Sequence, residues 1–397
     1  IKKLNNIELG FKRAIGVDME KLQEQWHKYL KKVYWPDITN RENIIDFSRR
    51  LTNHEKLENT YNVAPAISPD GSKIAIFSNK SGPMALYLIS SKDGKFIKKI
   101  IQGERNAEYE ELHILKPGIT WSKDGKNIAF AAKSGKSDAL FIVNIKSGDK
   151  KKYRLNMEGI FRPSWRPNKN EIVFVGNNGK TSDLYLFNID NEELKNLTDD
   201  WFTDDQPSWH PDGKSIFFIS DRNTVLKTGI INKPQNHDFS QTDIYEYSLL
   251  TGQIKQITNS IYNETYPCVS NNGNFLAYIS DESGINNIYL KNYKFDNEDS
   301  KPITNVLTGI TQLSWNGDDS QLIFTGFYNR GYDIYTLNNP IDKIVKNIKV
   351  ETASWKLKKN EDMFLNNKKR NSIDDIYNKK KYQRYDFSNL VKDSIYI

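Results

Sequence analysis

The sequence is poor in residues that mark several protein classes. Its 397 residues include one cysteine, Cys268, and four methionines. A single cysteine cannot form an internal disulfide or a cysteine-rich metal site, so we expect Cys268 to be a small buried packing residue. No apolar run approaches the roughly 18 residues that a membrane-spanning helix needs. These absences exclude a disulfide framework, a cysteine-rich metal site and a transmembrane helix.

The motifs of common enzyme classes are also missing. The chain has no G-x-S-x-G nucleophile elbow, no P-loop and no dinucleotide-binding glycine fingerprint. His54-Glu55 begins like a zinc-protease motif, but Glu58 stands where the second histidine belongs. We therefore expect no catalytic residues, no cofactor and no metal site.

One acidic group could still hold calcium, because carboxylates are the ligands that calcium prefers. Its members lie close together in the chain: Asp199, Asp200, Asp204 and Asp205. A turn between two strands also accounts for them, and it is the interpretation that we favour.

The net charge of +7 is uneven along the chain. Between Asp342 and Ile397 there are 14 basic and 8 acidic residues, so the remainder is nearly neutral. A nucleic-acid-binding module would combine basic and aromatic residues on a rigid surface, and the rest of the chain shows no such concentration. We expect no nucleic-acid partner and interpret residues 339–397 as a basic, poorly ordered linker, with a patch for anionic lipid as the alternative.

One stretch occurs six times and contains a turn followed by an apolar strand. At residues 207–220 it reads Pro-Ser-Trp-His-Pro-Asp-Gly-Lys-Ser-Ile-Phe-Phe-Ile-Ser. Proline, aspartate and glycine suit successive positions of a tight turn. The glycine-equivalent positions are 71, 125, 169, 213, 273 and 319. A period near 45 residues is typical of four-stranded blades, so we predict an all-β, six-bladed β-propeller over residues 44–338.

The ends of the blades predict how the ring closes. Fourth strands end in Leu-Thr or Ile-Thr at residues 197–198, 257–258 and 303–304. Blade six has no such strand, whereas Leu51-Thr52 stands unused before blade one. We predict that residues 44–52 form the missing strand, because this pairing removes two open sheet edges.

Other recurrent side chains are predicted to be scaffold. Tryptophans at one structural position indicate packing between blades: Trp121, Trp165, Trp209 and Trp315. In four blades, a polar residue just before the third-strand Leu-Tyr or Ile-Tyr pair is expected to bond blade backbone: Asp183, Asp243, Asn287 and Asp333.

The N-terminal segment, residues 1–40, is predicted to be helical. Two helices fall within residues 7–35, with Asp18 capping the second and Pro36 ending it. The chain begins at Ile1, so we expect either a removed signal peptide or, as we favour, a piece of a longer protein whose upstream domain these helices continue.

Two insertions break the period, at residues 102–117 between blades one and two and at residues 222–241 inside blade four. Long loops on a rigid scaffold are common binding sites, although mobile decoration is the alternative. The candidate partner-binding residues are Glu104, Arg105, Tyr109, Glu110, His113, Arg222, Lys227 and His237.

The Ser-Pro-Asp-Gly-x-x-Ile-Ala units resemble the TolB-like (PD40, WD40-like) propeller family over roughly residues 44–338. The stretches 14–35, 62–71 and 103–113 resemble large bacterial envelope proteins that carry such a propeller at their middle. In those proteins a metallopeptidase-like domain precedes the propeller and an outer-membrane barrel often follows it.

The resemblance implies a non-catalytic protein–protein interaction scaffold, periplasmic or outer-membrane-associated in a bacterium. Its partners would be envelope proteins, and it would meet the membrane only indirectly, through a downstream domain. The alternative is the gating propeller of a prolyl-oligopeptidase-like peptidase whose catalytic domain lies outside this chain. A weaker third possibility is a small-molecule or glycan-binding propeller with a polar, aromatic-lined central pocket.

Overall fold

The computed structural model describes residues 7–104, 108–222, 237–294, 299–346 and 348–359. Arg105, Lys227 and the tail after residue 359, about which the sequence makes predictions, lie outside these ranges. The chain divides into two compact units, one formed by Ile1–Pro36 with Thr352–Ile397 and the other by Asp37–Glu351.

Helices α1, Ile7–Ile15, and α2, Met19–Asn40, form the N-terminal segment, and residues 354–359 are also helical. The second helix begins directly after Asp18, as predicted. The prediction that Pro36 ends it is wrong, because proline has a helix-compatible φ and removes one backbone hydrogen bond without unwinding the helix. Among the described helices, none combines the length and hydropathy that crossing a bilayer requires.

Six antiparallel sheets of four strands follow, which confirms the six-bladed propeller. Blade one contains Asn62–Ile67, Lys73–Ser78, Ala85–Ser90 and Phe96–Gln102. Blade two contains Ile119–Trp121, Asn127–Ser134, Ser137–Asn144 and Lys150–Tyr153. Blade three contains Gly159–Trp165, Glu171–Asn177, Ser182–Asn188 and Leu194–Asn196. Blade four contains Asp204–Trp209, Ser215–Ser220, Asp243–Ser248 and Ile254–Gln256. Blade five contains Glu264–Val269, Phe275–Ser280, Asn287–Asn292 and Lys301–Pro302. Blade six contains Ile310–Trp315, Gln321–Tyr328, Gly331–Asn338 and, from the N-terminal side, Arg49–Arg50.

The six first strands contact one another in a closed ring around the propeller axis. The second strands are buried along nearly their whole length, because neighbouring blades cover both of their faces. Three of the recurrent tryptophans donate their indole N–H to the first strand of the preceding blade: Trp121 to Ala66 O, Trp209 to Ser164 O and Trp315 to Cys268 O. These bonds confirm that the tryptophans serve packing between blades.

The N-terminal strand closes the ring as predicted, although it is shorter. Arg49 pairs with Thr336 and Arg50 with Tyr335. Residues 44–47, predicted as strand, form a helical turn instead, because Ile44 packs into the core of blades five and six and Asp46 accepts a hydrogen bond from Asn43 N. The closing strand passes directly against the last turn of blade one, where a Cβ on Gly94 would lie 1.8 Å from Leu51 O.

The Leu-Thr and Ile-Thr signature has a specific role at this seam. In blades three, four and five its threonine hydroxyl accepts a hydrogen bond from a third-strand backbone N–H, with donors Leu184, Ile244 and Ile288. Thr52, in the closing segment, accepts the equivalent hydrogen bond from Ile334 N of blade six, at 3.0 Å. The closing segment therefore reproduces the edge of an ordinary blade.

In blades three to six, the polar residue at the start of the third strand bonds the backbone of the link to the next blade, as predicted. The donor to Asp183 Oδ1 is Asp200 N, that to Asp243 Oδ1 is Ser260 N and that to Asn287 Oδ1 is Val306 N. In blade six, Asp333 Oδ1 accepts from His54 N at 2.9 Å. These side chains hold successive blades in register.

The seam between blades four and five should make stability depend on pH. Burial raises the pKa of Glu264, and the neighbouring Asp243 raises it further. A carboxyl group whose pKa is raised on folding stabilises the fold at low pH, and that stabilisation is lost as pH rises through the folded pKa. The free energy of unfolding should therefore fall between about pH 5 and pH 8. Glu264→Gln mimics the protonated side chain, so it should make this fall smaller by at least about 1 kcal/mol.

Urea unfolding at several pH values measures this slope. The exposed Glu192→Gln on blade three is the matched control and should leave the wild-type slope in place. An unchanged slope in Glu264→Gln would contradict the assignment.

Candidate functional site

Both insertions leave the propeller from the same side. In a four-stranded antiparallel sheet, the hairpin from strand two to strand three and the link from strand four to the next blade leave from one edge. The insertion after Gln102 is such a link and the insertion after Ser220 is such a hairpin. We call this side the loop face, and the opposite side, which carries the Pro-Asp-Gly turns, the turn face.

The first insertion folds back onto blade two. Tyr109 is 1% exposed, and its ring lies 4.8 Å from that of Phe141. Glu110 N and Lys133 N donate to Lys133 O and Glu111 O, both at 2.9 Å, so the insertion extends the end of a blade-two strand. Of the candidate contacts here, Tyr109 is a core residue, whereas Glu104 and Glu110 are exposed.

His113 lies where this insertion approaches blade three. Its Nε2 is 2.9 Å from Asp138 Oδ2, and its ring packs 4.9 Å from that of Phe161. Next to them, Lys116 Nζ stands 5.1 Å above the Phe161 ring and 3.6 Å from Asp205 Oδ2. The insertion thereby brings His113 to blades two and three, through Asp138 and Phe161, and brings Lys116 to Asp205 of blade four.

The second insertion is anchored at both described ends. Arg222 is buried against three aromatic rings, those of Phe202, Phe218 and Tyr245, and its Nη2 lies 2.9 Å from both carboxylate oxygens of Asp204. His237 is also buried, with its ring 4.8 Å from that of Trp201. Both candidate residues therefore hold the base of the loop, because their side chains pack inside the protein instead of facing a partner.

Arg222 forms ion pairs with Asp200 and Asp204, which together with Asp183 form the acidic cluster. Burial raises the pKa of Asp204 to about 7 and raises the pKa of Asp200 as well, while Arg222 opposes both shifts. Arg222 thus pairs with two of the four aspartates that the sequence places together, Asp200 and Asp204, whereas Asp205 contacts Lys116 and Arg162.

The first strands of all six blades line the centre of the propeller, and one lining residue from each blade belongs to what we call the channel ring: Ala64, Gly118, Arg162, Gln206, Tyr266 and Gln312. Five of them occupy the same β-bulge of the first strand with a left-handed φ between 51° and 58°. The sixth, Gly118, is required because its Cβ would lie 2.4 Å from Arg162 Cα. The ring encloses a cavity of about 170 Å³.

Arg162 is the only charged member of the channel ring. Its side chain is 10% exposed, its Nε lies 3.1 Å from Asp205 Oδ1, and its guanidinium stands 5.2 Å from the centre of the Tyr266 ring. Asp205 also contacts Lys116, so the channel and the first insertion share one charged group at the loop face.

Comparisons with known proteins agree with this architecture. A family model described as the TolB beta propeller domain (PD40) matches residues 109–227. The solved TolB of Acinetobacter baumannii covers 68% of this chain at 16% identity with a TM-score of 0.51, and the chain spans 65% of that protein. A candidate TolB of Agrobacterium tumefaciens covers 70% at 18% identity and the same TM-score, with 90% of its own length aligned. No curated protein matches the sequence.

The chain folds as a six-bladed β-propeller similar to that of TolB.

A polar central pocket was among the alternatives considered, but the six residues of the channel ring were not predicted, although the sequence carries a signal for them. Proline recurs two residues before the end of four first strands: Pro65, Pro163, Pro207 and Pro267. The residue before each of these prolines is a ring member. Of the predicted insertion residues that the structure describes, His113 is the one that packs on Phe161, next to the ring member Arg162.

Proposed function

We propose that the TolB-like propeller is a non-catalytic protein-interaction scaffold of the bacterial cell envelope, periplasmic or associated with the outer membrane. It would contact an envelope protein through its loop face. The observation that carries this proposal is that both insertions emerge on one face. Rigid scaffolds commonly concentrate binding on such loops.

The exposed part of the first insertion offers an apolar contact beside charged ones. Leu115 is 89% exposed, next to Lys116 and the charged group at the channel mouth. An exposed leucine surrounded by polar groups is suited to a small protein interface with an apolar centre and a polar rim.

Two exposed leucines on opposite faces allow a matched test. Leu250, in the turn between the third and fourth strands of blade four, is 90% exposed on the turn face. We expect Leu115→Asp to reduce capture of a partner from envelope extract at least about fivefold, because a charge would replace an apolar contact at the interface. Leu250→Asp should stay within about twofold of the wild type.

The measurement is quantitative affinity capture with the immobilised chain, with cytosolic extract as a second control. Equal capture by both variants, or a loss confined to Leu250→Asp, would refute a loop-face interface. A partner captured only from cytosolic extract would refute the envelope assignment.

We also propose that the chain comes from the envelope proteins in which a TolB-like propeller lies between a metallopeptidase-like domain and an outer-membrane barrel. The resemblance of residues 14–35 and 103–113 supports this origin. The complete reading frame tests it, and a downstream Ser-Asp-His hydrolase domain would favour the peptidase alternative instead.

A further inference from the structure

Two glutamine amides in the channel ring have orientations that their hydrogen bonds determine. Gln206 Oε1 accepts from Tyr266 N, and Gln312 Oε1 accepts from Ala64 N at 2.6 Å and from Thr325 Oγ1 at 2.7 Å. Each oxygen thus binds the protein, which leaves the amide NH₂ as the free end. Neither NH₂ group has an acceptor among the described residues.

Arg162 adds unfilled donors to the same cavity. Its Nη1 is buried without a hydrogen-bond acceptor in the described part of the chain, and the contact from Nε to Asp205 is too misaligned to be a hydrogen bond. A buried guanidinium with unused N–H groups costs free energy unless a ligand supplies acceptors. The channel ring therefore presents a set of donors that lacks acceptors.

Asp205 does not fill this gap. Its Oδ1 accepts from Gln206 N at 2.7 Å and neighbours Arg162, while its Oδ2 faces Lys116. Arg162, Lys116 and Asp205 together carry one net positive charge at the channel mouth. Asp205 holds the guanidinium through its Nε side and leaves the Nη side for a ligand.

We propose that this channel binds a carboxylate group, presented by an acidic side chain of the protein partner. The proposal rests on the proposed scaffold function and specifies the chemistry of its contact. A planar guanidinium binds carboxylates through two parallel hydrogen bonds, and the two glutamine NH₂ groups supply further donors. A single net positive charge suits a monoanion, and the unpaired N–H donors of Arg162, Gln206 and Gln312 suit an acceptor ligand better than a metal cation.

The closing experiment uses small probes, so that it does not depend on knowing the partner. The purified chain is titrated by NMR with acetyl-Gly-Glu-Gly-amide, with the neutral peptide acetyl-Gly-Gln-Gly-amide, with acetate and with inorganic phosphate. The Glu peptide should bind at least about tenfold more tightly than the Gln peptide, because its hydrogen bonds are charge-assisted. It should also bind more tightly than acetate and phosphate.

Two channel variants and one control locate the site. Arg162→Gln should weaken binding of the Glu peptide at least about tenfold. Gln312→Glu keeps an oxygen for Ala64 N but replaces the free NH₂ with a carboxylate, so it should abolish binding while the fold, checked by its urea midpoint, persists. Arg154→Gln removes the same charge directly after the outer strand of blade two, where Arg154 donates to Ser134 O, and should leave binding intact.

Equal binding of the Glu and Gln peptides, or wild-type binding by Gln312→Glu, would overturn the carboxylate site. Acetate binding as tightly as the Glu peptide would overturn the assignment to a partner's side chain, and tighter phosphate binding would overturn the choice of carboxylate. These outcomes are separate from the capture test with Leu115→Asp, which can succeed or fail without them.

Discussion

Replacing Asp333 with alanine is expected to lower the free energy of unfolding by about 3–5 kcal/mol, because a buried charge network loses its centre. Asp333 is fully buried, and its Oδ2 lies 2.6 Å from Arg50 Nη2 and 2.7 Å from His54 Nδ1. Its Oδ1 accepts from Thr52 Oγ1 at 2.8 Å and from Asn62 Nδ2 at 3.0 Å. This one carboxylate joins the closing segment, blade six and blade one.

The control for this prediction occupies the same position in another blade. Asp183 is equally buried in blade three, but it lies among other carboxylates instead of cationic side chains. Asp183→Ala should therefore cost clearly less than Asp333→Ala, since it also relieves repulsion. Urea unfolding of both variants measures the difference, and equal losses would show that Asp333 has no special role in closure.

The second large effect is expected for Arg222→Gln, which should destabilise the chain by roughly 3 kcal/mol at pH 8. The substitution leaves the acidic cluster without its counter-ion and removes the packing against three aromatic rings. Because the pKa of Asp204 is raised on folding, its stabilising contribution is present at low pH and is lost as pH rises. The cost of Arg222→Gln should accordingly be smaller at pH 5 than at pH 8.

A double variant separates charge from packing. Adding Asp204→Asn to Arg222→Gln removes one buried carboxylate and should recover part of the stability lost at pH 8. Thermal and urea unfolding at both pH values check these expectations. A pH-independent cost with no recovery in the double variant would attribute the effect to packing alone.

The parts of this fold that the sequence predicts are those set by local chemistry. The turn at Pro211-Asp212-Gly213 has an equivalent before every second strand, so blade number and order follow from counting its six variants. Even the closing strand was predictable, because Thr52 carries the same signature as the fourth strands of other blades. The pairing of residues 49–50 needed no information beyond this repeated pattern.

The insertions were harder to interpret because their contacts depend on tertiary structure. A tyrosine and an arginine in a long loop suggest a binding surface, yet Tyr109 enters the core of blade two and Arg222 anchors a loop base. Two aromatic residues, Trp201 and Phe202, indicated that the surroundings of Arg222 are a packed core. Burial of this kind is not visible in the spacing of a non-repeating segment.

The residues that line the channel were not predicted, for a different reason. Its lining depends on a β-bulge. A bulge arises from the pairing register of two strands, so it cannot be read from the sequence of one strand. The glutamine orientations depend in turn on backbone N–H groups of the next blade. Only the three-dimensional arrangement brings Arg162, Gln206 and Gln312 to one cavity.

The closure of the ring also means that the closing segment is synthesised long before the strand with which it pairs. Arg50 and Asp333 are 283 residues apart in the chain, yet they meet in one ion pair. At roughly 5–20 residues per second, a ribosome needs about 15–60 s to make the intervening chain. During that time the closing segment has no strand to pair with, and blade one has no blade six beside it. Both therefore expose unpaired edges to other chains. A cell making this protein must protect its beginning until its last blade has emerged.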